Sequence, residues 1–348
     1  MAKMRAVLSG YYGKGNGGDE ALLASLLQML PDYITPIVLS GNPTQTNQWY
    51  GVETCDRMNA LQILQTLRTA DILIWGGGSL IQDVTSLASP FYYGGLMGIA
   101  QQIGLKTIAW AQGIGPLKRP ITRHFAQRWF RGCNTVTVRD RASASLLVDW
   151  QIPFTLAPDP VWALDTLPVP RLSDFPSSRV AVNLRSHSSL TPARLATLTH
   201  ALIDFQKATQ TFILLLPFQK SHDLPIAKTL HNAIPNNSQI ITLENPRELK
   251  GIFRQVEMIV GMRYHSLIMG LAEGCRSFAL SYDPKVTQLM DELEIPGYLL
   301  SELPEDRNSI SQNWIENYHN GKSLSQNKIE YLIERSLIHQ EVLQQALH

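Results

Sequence analysis

The residues best placed to do chemistry lie in the stretch Met258-Ile259-Val260-Gly261-Met262-Arg263-Tyr264-His265-Ser266-Leu267-Ile268-Met269-Gly270. A short apolar run, Met258–Val260, ends at a glycine, and an apolar helix begins at about His265. Arg263 and His265 then stand at the start of that helix, where backbone N–H groups and the helix dipole attract anions. The dipole favours neutral imidazole and a bound phosphate favours imidazolium, so His265 suits an acid–base role that changes as substrate arrives. Arg139 in Val138-Arg139-Asp140 and Arg185 in Asn183-Leu184-Arg185-Ser186-His187 occupy comparable strand ends. Their planar forks match carboxylate or phosphate, although an isolated arginine more often forms a surface ion pair. Asp140 reads as a helix N-cap. Lys285, in Tyr282-Asp283-Pro284-Lys285, is either a further point charge or part of a solvated turn.

Three glycine-rich loops follow other strands. In Gly10-Tyr11-Tyr12-Gly13-Lys14-Gly15-Asn16-Gly17-Gly18-Asp19-Glu20, the residues Gly13, Gly15 and Gly18 satisfy the spacing of a dinucleotide fingerprint. Such a site needs an acidic residue after the second strand to hold a ribose, and Val38-Leu39-Ser40-Gly41-Asn42 has none. Asp19 and Glu20 also bring negative charge to a helix start that a pyrophosphate would need. An NAD-dependent oxidoreductase is therefore a poor reading. Asp19 is left as either a helix N-cap or a ligand-binding group. In Trp75-Gly76-Gly77-Gly78-Ser79, the N–H groups of Gly77 and Gly78 and the Ser79 hydroxyl could cradle an oxyanion, or the glycines could serve only to pack two loops. Gly113 lies in the third loop, Gln112-Gly113-Ile114-Gly115-Pro116. Tyr11, Tyr12, Phe91, Tyr92 and Tyr93 are candidates to stack on sugar rings, with core packing the competing use.

The elements that must position these groups are short apolar runs alternating with amphipathic stretches. Arg5–Ser9, Ile37–Ser40, Ile72–Trp75, Thr107–Ala111 and Thr135–Val138 read as strands, with helices such as Asp19–Leu30 and Ala60–Thr69 between them. The alternation restarts with Val180–Leu184, Phe212–Leu216, Gln239–Leu243, Met258–Val260 and Phe278–Leu280. Strands separated by helices imply parallel pairing through right-handed crossovers. The expected organisation is an N-terminal Rossmann-like domain over 1–165, a proline-rich linker over 166–178, a second Rossmann-like domain over 179–305, and C-terminal helices over 306–348. Asn327–Leu347 reads as one long helix. Two such domains facing across a cleft would place a ligand beyond the carboxyl ends of their strands.

With 348 residues, 44% hydrophobic and 17% charged, the chain is long enough for two globular cores. A net charge of +1 supplies no field for gathering nucleic acid, so any anion must be held by locally placed groups. Cys55, Cys133 and Cys275 show neither metal spacing nor a disulfide framework, in keeping with a reducing cytoplasm. The nine histidines suggest no metal site, and no serine nucleophile elbow is present. Anion clamps and one histidine point to a transferase using a phosphorylated donor.

Taken in order, Gly10-Tyr11-Tyr12-Gly13, Gly15-Asn16, Gly18-Asp19-Glu20, Gly76-Gly77-Gly78-Ser79, Gln82-Asp83, Gln112-Gly113-Ile114-Gly115-Pro116, Thr137-Val138-Arg139-Asp140, Asp159-Pro160 and Gly261-Met262-Arg263-x-His265 resemble the polysaccharide pyruvyl transferase family, most nearly its bacterial cell-wall and cell-surface branch. The likeness runs from about residue 5 to about 290. It implies a fold similar to glycosyltransferase type B, phosphoenolpyruvate as co-substrate, no metal or nucleotide cofactor, and a glycan or lipid-linked glycan acceptor. By the same likeness Arg263 and His265 meet the donor, Arg139 or Arg185 is a further anion partner, and Asp19 stands on the acceptor side; Asn16 is a further candidate substrate-binding residue. The expected location is the cytoplasm or the inner face of the membrane, with peripheral membrane association and no nucleic-acid partner; oligomeric state stays open. A nucleotide-sugar glycosyltransferase and a non-catalytic carbohydrate-binding protein are the competing classes.

Overall fold

The computed structural model describes residues 3–84 and 86–348, so Met1, Ala2 and Thr85 lie outside the described residues. The chain divides into two compact units, Met1–Leu164 with Leu332–His348, and Asp165–Tyr331. The first unit carries β1 (Met4–Ser9), β2 (Ile34–Ser40), β3 (Glu53–Asp56), β4 (Ile72–Trp75), β5 (Gly78–Ile81), β6 (Lys106–Ile114), β7 (Thr135–Val138) and β8 (Thr155–Leu156). They form one sheet in the order β3-β2-β1-β4-β6-β7-β8, with β5 also pairing β6. Every pair is parallel.

A parallel sheet is covered by helices on both faces, which is why its central strands read as unbroken apolar runs. Successive side chains still divide between two cores. Val7, Leu73 and Trp75 face Met97 and Phe130. Ala6, Leu8 and Ile74 face Leu23, Leu26 and the C-terminal Leu343 and Leu347.

The C-terminal segment is not one helix. It breaks at Leu337 into Gln326–Ser336 and Ile338–Leu347. The cause is docking on the first unit, where His339 is fully buried. Its ring nitrogens meet the Thr137 hydroxyl at 2.9 Å and the Pro158 carbonyl at 3.0 Å, and its own carbonyl accepts from the Trp110 indole at 3.2 Å. Burial pulls the His339 imidazole down to about 4, so it is neutral at neutral pH. Within 166–178 the chain forms a 3-10 turn, Pro170–Asp174, whose Leu172 is fully buried.

The second unit repeats the plan with β9 (Arg179–Asn183), β10 (Phe212–Leu215), β11 (Ser238–Ile240), β12 (Met258–Gly261), β13 (Arg276–Ser281) and β14 (Gly297–Leu299). Its order is β11-β10-β9-β12-β13-β14, again all parallel. The order of each sheet reverses at one place, between β1 and β4 in the first unit and between β9 and β12 in the second. Loops leaving adjacent strands on opposite sides open a crevice there, beyond the carboxyl ends. The Gly10 and Gly76 loops leave one such point, and Arg185 and Arg263 leave the other.

Candidate active site

In the first unit Asn16, and not Asp19, caps the helix Gly17–Met29. Its side-chain oxygen accepts the Gly18 N–H at 3.1 Å, and its amide donates to Asp19 Oδ2 at 2.5 Å. The helix therefore starts two residues earlier than the apolar pattern implies, and Asp19 falls in its first turn. Asp19 Oδ1 lies 3.6 Å from where a β-carbon on Gly78 would stand. Gly78, at φ +132, so combines a backbone that favours glycine with close approach to a carboxylate. Two of the sequence-predicted loops thus meet at Asp19.

Glu20 does something different. It is 2% exposed, and its Oε1 accepts the Gly13 N–H at 2.8 Å. Burial raises its carboxyl to about 7, against the opposing pull of the N–H groups of Gly13, Lys14 and Gly15. Glu20 thus holds the glycine loop from inside. The Tyr12 ring is fully buried, and a β-carbon at Gly10 or Gly76 would overlap it, so these glycines make room for a side chain.

Arg57, absent from the sequence candidates, is 7% exposed. It donates to the Gly10 carbonyl at 3.1 Å and the Tyr93 hydroxyl at 3.0 Å, with its guanidinium over the rings of Tyr92 at 4.9 Å and Tyr93 at 5.4 Å. Tyr12 and Tyr93 are core residues, whereas Tyr11 and Phe91 keep 36% and 40% exposure. Arg57 follows β3, a strand too short and polar to read from pattern.

Arg139 enters its loop already engaged. Its Nη1 pairs with Asp159 Oδ2 at 2.6 Å, both side chains almost fully buried, and its Nη2 donates to Ser79 Oγ at 3.4 Å. The structure therefore joins two predicted ligands, Arg139 and Ser79. Gly113 is buried within β6 beside Gln112, whose amide donates to the Gly76 carbonyl at 2.9 Å. Ala111 just before it has φ 49 and marks a bulge in the β6–β7 pairing. Gly77 completes this edge, 3.3 Å separating its would-be β-carbon from the Ala111 carbonyl oxygen. Asp83 accepts the N–H groups of Lys118 and Arg119 at 2.8 and 2.9 Å; these outweigh burial and hold its carboxyl below the usual range.

In the second unit Arg263 is the N-cap position of the helix Tyr264–Ala272. Its Nε and Nη2 donate to the two oxygens of the buried Asp223 at 2.7 and 2.6 Å, and Nη2 also reaches Gln219 Oε1 at 3.2 Å. Asn183, at the end of β9, accepts the Arg263 N–H at 3.2 Å and the Ser266 hydroxyl at 3.0 Å and donates to the Leu216 carbonyl at 2.7 Å. One amide thereby fixes the ends of three strands relative to the helix that carries His265. His265 is half-buried, edge-on to Tyr264 at 5.3 Å.

Arg185 is differently placed. Its Nη1 donates to the Tyr282 hydroxyl at 2.8 Å, its Nε reaches the Ser186 carbonyl at 3.4 Å, and it forms no ion pair among the described residues. His187 packs on the same Tyr282 ring, centroids 4.7 Å apart. Burial pulls the His187 imidazole below its ordinary value, Arg185 pulls it further, and Asp283 opposes both. Asp283 caps the helix Pro284–Leu293 by accepting the Lys285 N–H at 3.0 Å, which sets Lys285 in that helix's first turn. His187 was visible in the sequence only as a neighbour of Arg185; its partner Tyr282 lies 95 residues away. Among the described residues no group of three or more His, Cys, Asp or Glu is arranged to hold a metal ion.

These two doubly wound sheets define the class. The fold is similar to that of glycosyltransferases and sugar-nucleotide epimerases of the type B architecture. UDP-GlcNAc 2-epimerase from Neisseria meningitidis, solved with UDP-GlcNAc, superposes with a TM-score of 0.65 at 11% identity, covering 98% of this chain and 100% of that one. A glycosyltransferase from Rickettsia africae gives 0.57 at 13% identity with 100% and 99% coverage. A Siraitia grosvenorii transferase in complex with UDP gives 0.58 at 10%, with 99% and 100% coverage. No curated protein matches the sequence significantly. The model of the polysaccharide pyruvyl transferase family matches residues 16–284, the bulk of the chain, and the protein belongs to that family.

Proposed function

We propose that this protein transfers the pyruvyl group of phosphoenolpyruvate to two hydroxyls of one sugar in a polysaccharide or its precursor, with no resident cofactor. The observation that carries the donor assignment is the contrast between two arginines at one strand-order reversal. The Arg263 fork is committed to Asp223, while Arg185 is held only by neutral oxygens. A buried cation with a carboxylate partner is stable without ligand, whereas a cation held by a phenol and a carbonyl gains most from an arriving anion. Arg185 is the clamp in this reading, Arg263 sets the start of the helix, and Lys285 adds charge nearby.

The chemistry then runs as follows. Protonation of C3 of the enol makes C2 electrophilic, and one sugar hydroxyl forms a C–O bond to it. The bond from C2 to the phosphate oxygen breaks, and the second hydroxyl closes the ketal. Of the two hydroxyl protons, one balances the proton gained at C3 and the other leaves with phosphate. His265 supplies the acid and Asp19 orients or deprotonates the acceptor, with Arg139 and the Ser79 loop supporting that side.

The likeness to enzymes solved with uridine nucleotides keeps a nucleotide-sugar glycosyltransferase as the second reading. Calorimetry with phosphoenolpyruvate and with UDP separates them. We expect binding of phosphoenolpyruvate that Arg185→Gln weakens by ~10-fold or more; tight UDP binding without phosphoenolpyruvate binding favours the alternative.

A further inference from the structure

Residues 84–139 contain seven of the chain's 30 basic residues and none of its 29 acidic ones. In a protein of net charge +1 this segregation is local. Arg123 pairs with Asp149 and Arg139 with Asp159 from outside the stretch, and Lys118, Arg119 and Arg128 form no ion pair among the described residues. The same stretch exposes large apolar side chains: Val84 at 52%, Leu87 at 40%, Phe91 at 40% and Ile121 at 58%. They belong to one face. Asp83 ties the segment before Val84 to the backbone of Lys118 and Arg119. Leu87 and Phe91 are one turn apart at the start of the helix Ala88–Gln102. Phe91 meets Phe125 edge-on at 5.8 Å, and Ile121, Phe125 and Arg128 follow one another along a single stripe of the helix Pro120–Arg131. Lys118 and Arg128 are exposed and form no ion pair among the described residues.

We propose that this face docks on an anionic bilayer surface, with Val84, Leu87, Phe91 and Ile121 entering the headgroup boundary and Lys118, Arg119 and Arg128 meeting lipid phosphates. Apolar side chains interleaved with unpaired cations are the composition of an interfacial anchor. A second copy of the chain meeting the same face would set like charges against each other, which disfavours a symmetric dimer. The face begins five residues after Ser79, so a lipid-linked acceptor would be presented beside the acceptor loops; the docking itself does not depend on the chemistry proposed above.

The test is flotation of the full chain with phosphatidylcholine vesicles, with and without phosphatidylglycerol. We expect recovery with the phosphatidylglycerol vesicles only. Lys118→Glu/Arg128→Glu should weaken it about 25-fold or more, at about fivefold for each cation lost. Ile121→Glu should weaken it as well while leaving the far-ultraviolet circular dichroism spectrum unchanged. Phosphate release with a short water-soluble acceptor should be unaffected by all three changes, which separates failure to dock from failure of the reaction. Absence of phosphatidylglycerol-dependent binding overturns the proposal. So does binding that these substitutions leave intact, or a stable dimer in sedimentation velocity that Ile121→Glu dissociates.

Discussion

Asp223 accepts both Nε and Nη2 of Arg263, at 2.7 and 2.6 Å, in a pair whose side chains are 0% and 8% exposed. The two residues are 40 positions apart, one in the helix after β10 and the other after β12, and their pairing fixes the helix start that carries His265. Removing one member of a buried pair leaves the other charged and desolvated. Asp223→Ala should therefore cost about 3–5 kcal/mol of unfolding free energy, measured by urea denaturation, and Asp223→Asn distinctly less because it keeps an oxygen for the fork. A negligible cost for both would mean that the pair does not hold this loop.

Arg185 has the opposite character and should yield the opposite result. Arg185→Gln should raise the KM for phosphoenolpyruvate by at least ~10-fold with little change in stability, because the lost group is a charge-assisted donor to the ligand. Arg185→Lys should restore only part of the affinity, since an ammonium cannot offer two parallel donors or lie over the Tyr282 ring as the guanidinium does at 5.1 Å. Steady-state kinetics over a phosphoenolpyruvate series reads both.

His265→Ala should lower kcat by ~10²-fold or more if the imidazole moves a proton in the reaction, with a smaller effect on KM. Turnover close to that of the wild type would remove the acid–base assignment and direct attention to His187.

Two buried groups of the first unit should give opposing pH dependences of stability. Glu20 is raised from 4.5 to about 7, so between those values the folded state holds a proton that the unfolded state has lost, and stability falls as pH rises. His339 is lowered from 6.5 to about 4, so over that window the unfolded state holds the extra proton, and stability rises with pH. Each contribution is about 3 kcal/mol across its window and the two nearly cancel. Glu20→Gln should expose a stability that climbs from pH 4 to 6.5, and His339→Gln one that declines from pH 4.5 to 7. Parallel pH profiles for wild type and both variants, from thermal denaturation, would contradict these assignments.

Much of the scaffold was legible because a parallel sheet buries both faces of its strands. Ile72–Trp75 and Thr135–Val138 coincide with β4 and β7, and the other apolar runs lie within a few residues of theirs. The strands β3, β5, β8 and β14 escaped, being two to four residues long and mixed in polarity. The continuous helix expected over Asn327–Leu347 failed for a tertiary reason, since the docking of His339 is set by Thr137 and Pro158, far away in sequence. The same limit applies to the site. Arg263 and His265 were visible from local spacing, but Asp223, Tyr282 and Arg57 owe their roles to contacts across 36 to 97 residues. The two glycines after Asn16 conceal the helix start from the apolar pattern, so the sequence leaves capping open for Asp19, while in the structure Asn16 performs it.

The glycine loop that spacing offers as a dinucleotide fingerprint is built around Tyr12 and Glu20, and the anion-binding groups we propose, Arg185 and Lys285, belong to the second unit. Product formation decides whether phosphoenolpyruvate is the donor. Incubation of the protein with phosphoenolpyruvate and pyranosyl glycans should release one phosphate per ketal formed, with a new pyruvate methyl resonance in the proton NMR spectrum of the glycan. Release of no phosphate with any pyranosyl acceptor, together with sugar transfer from a UDP-sugar, would contradict it.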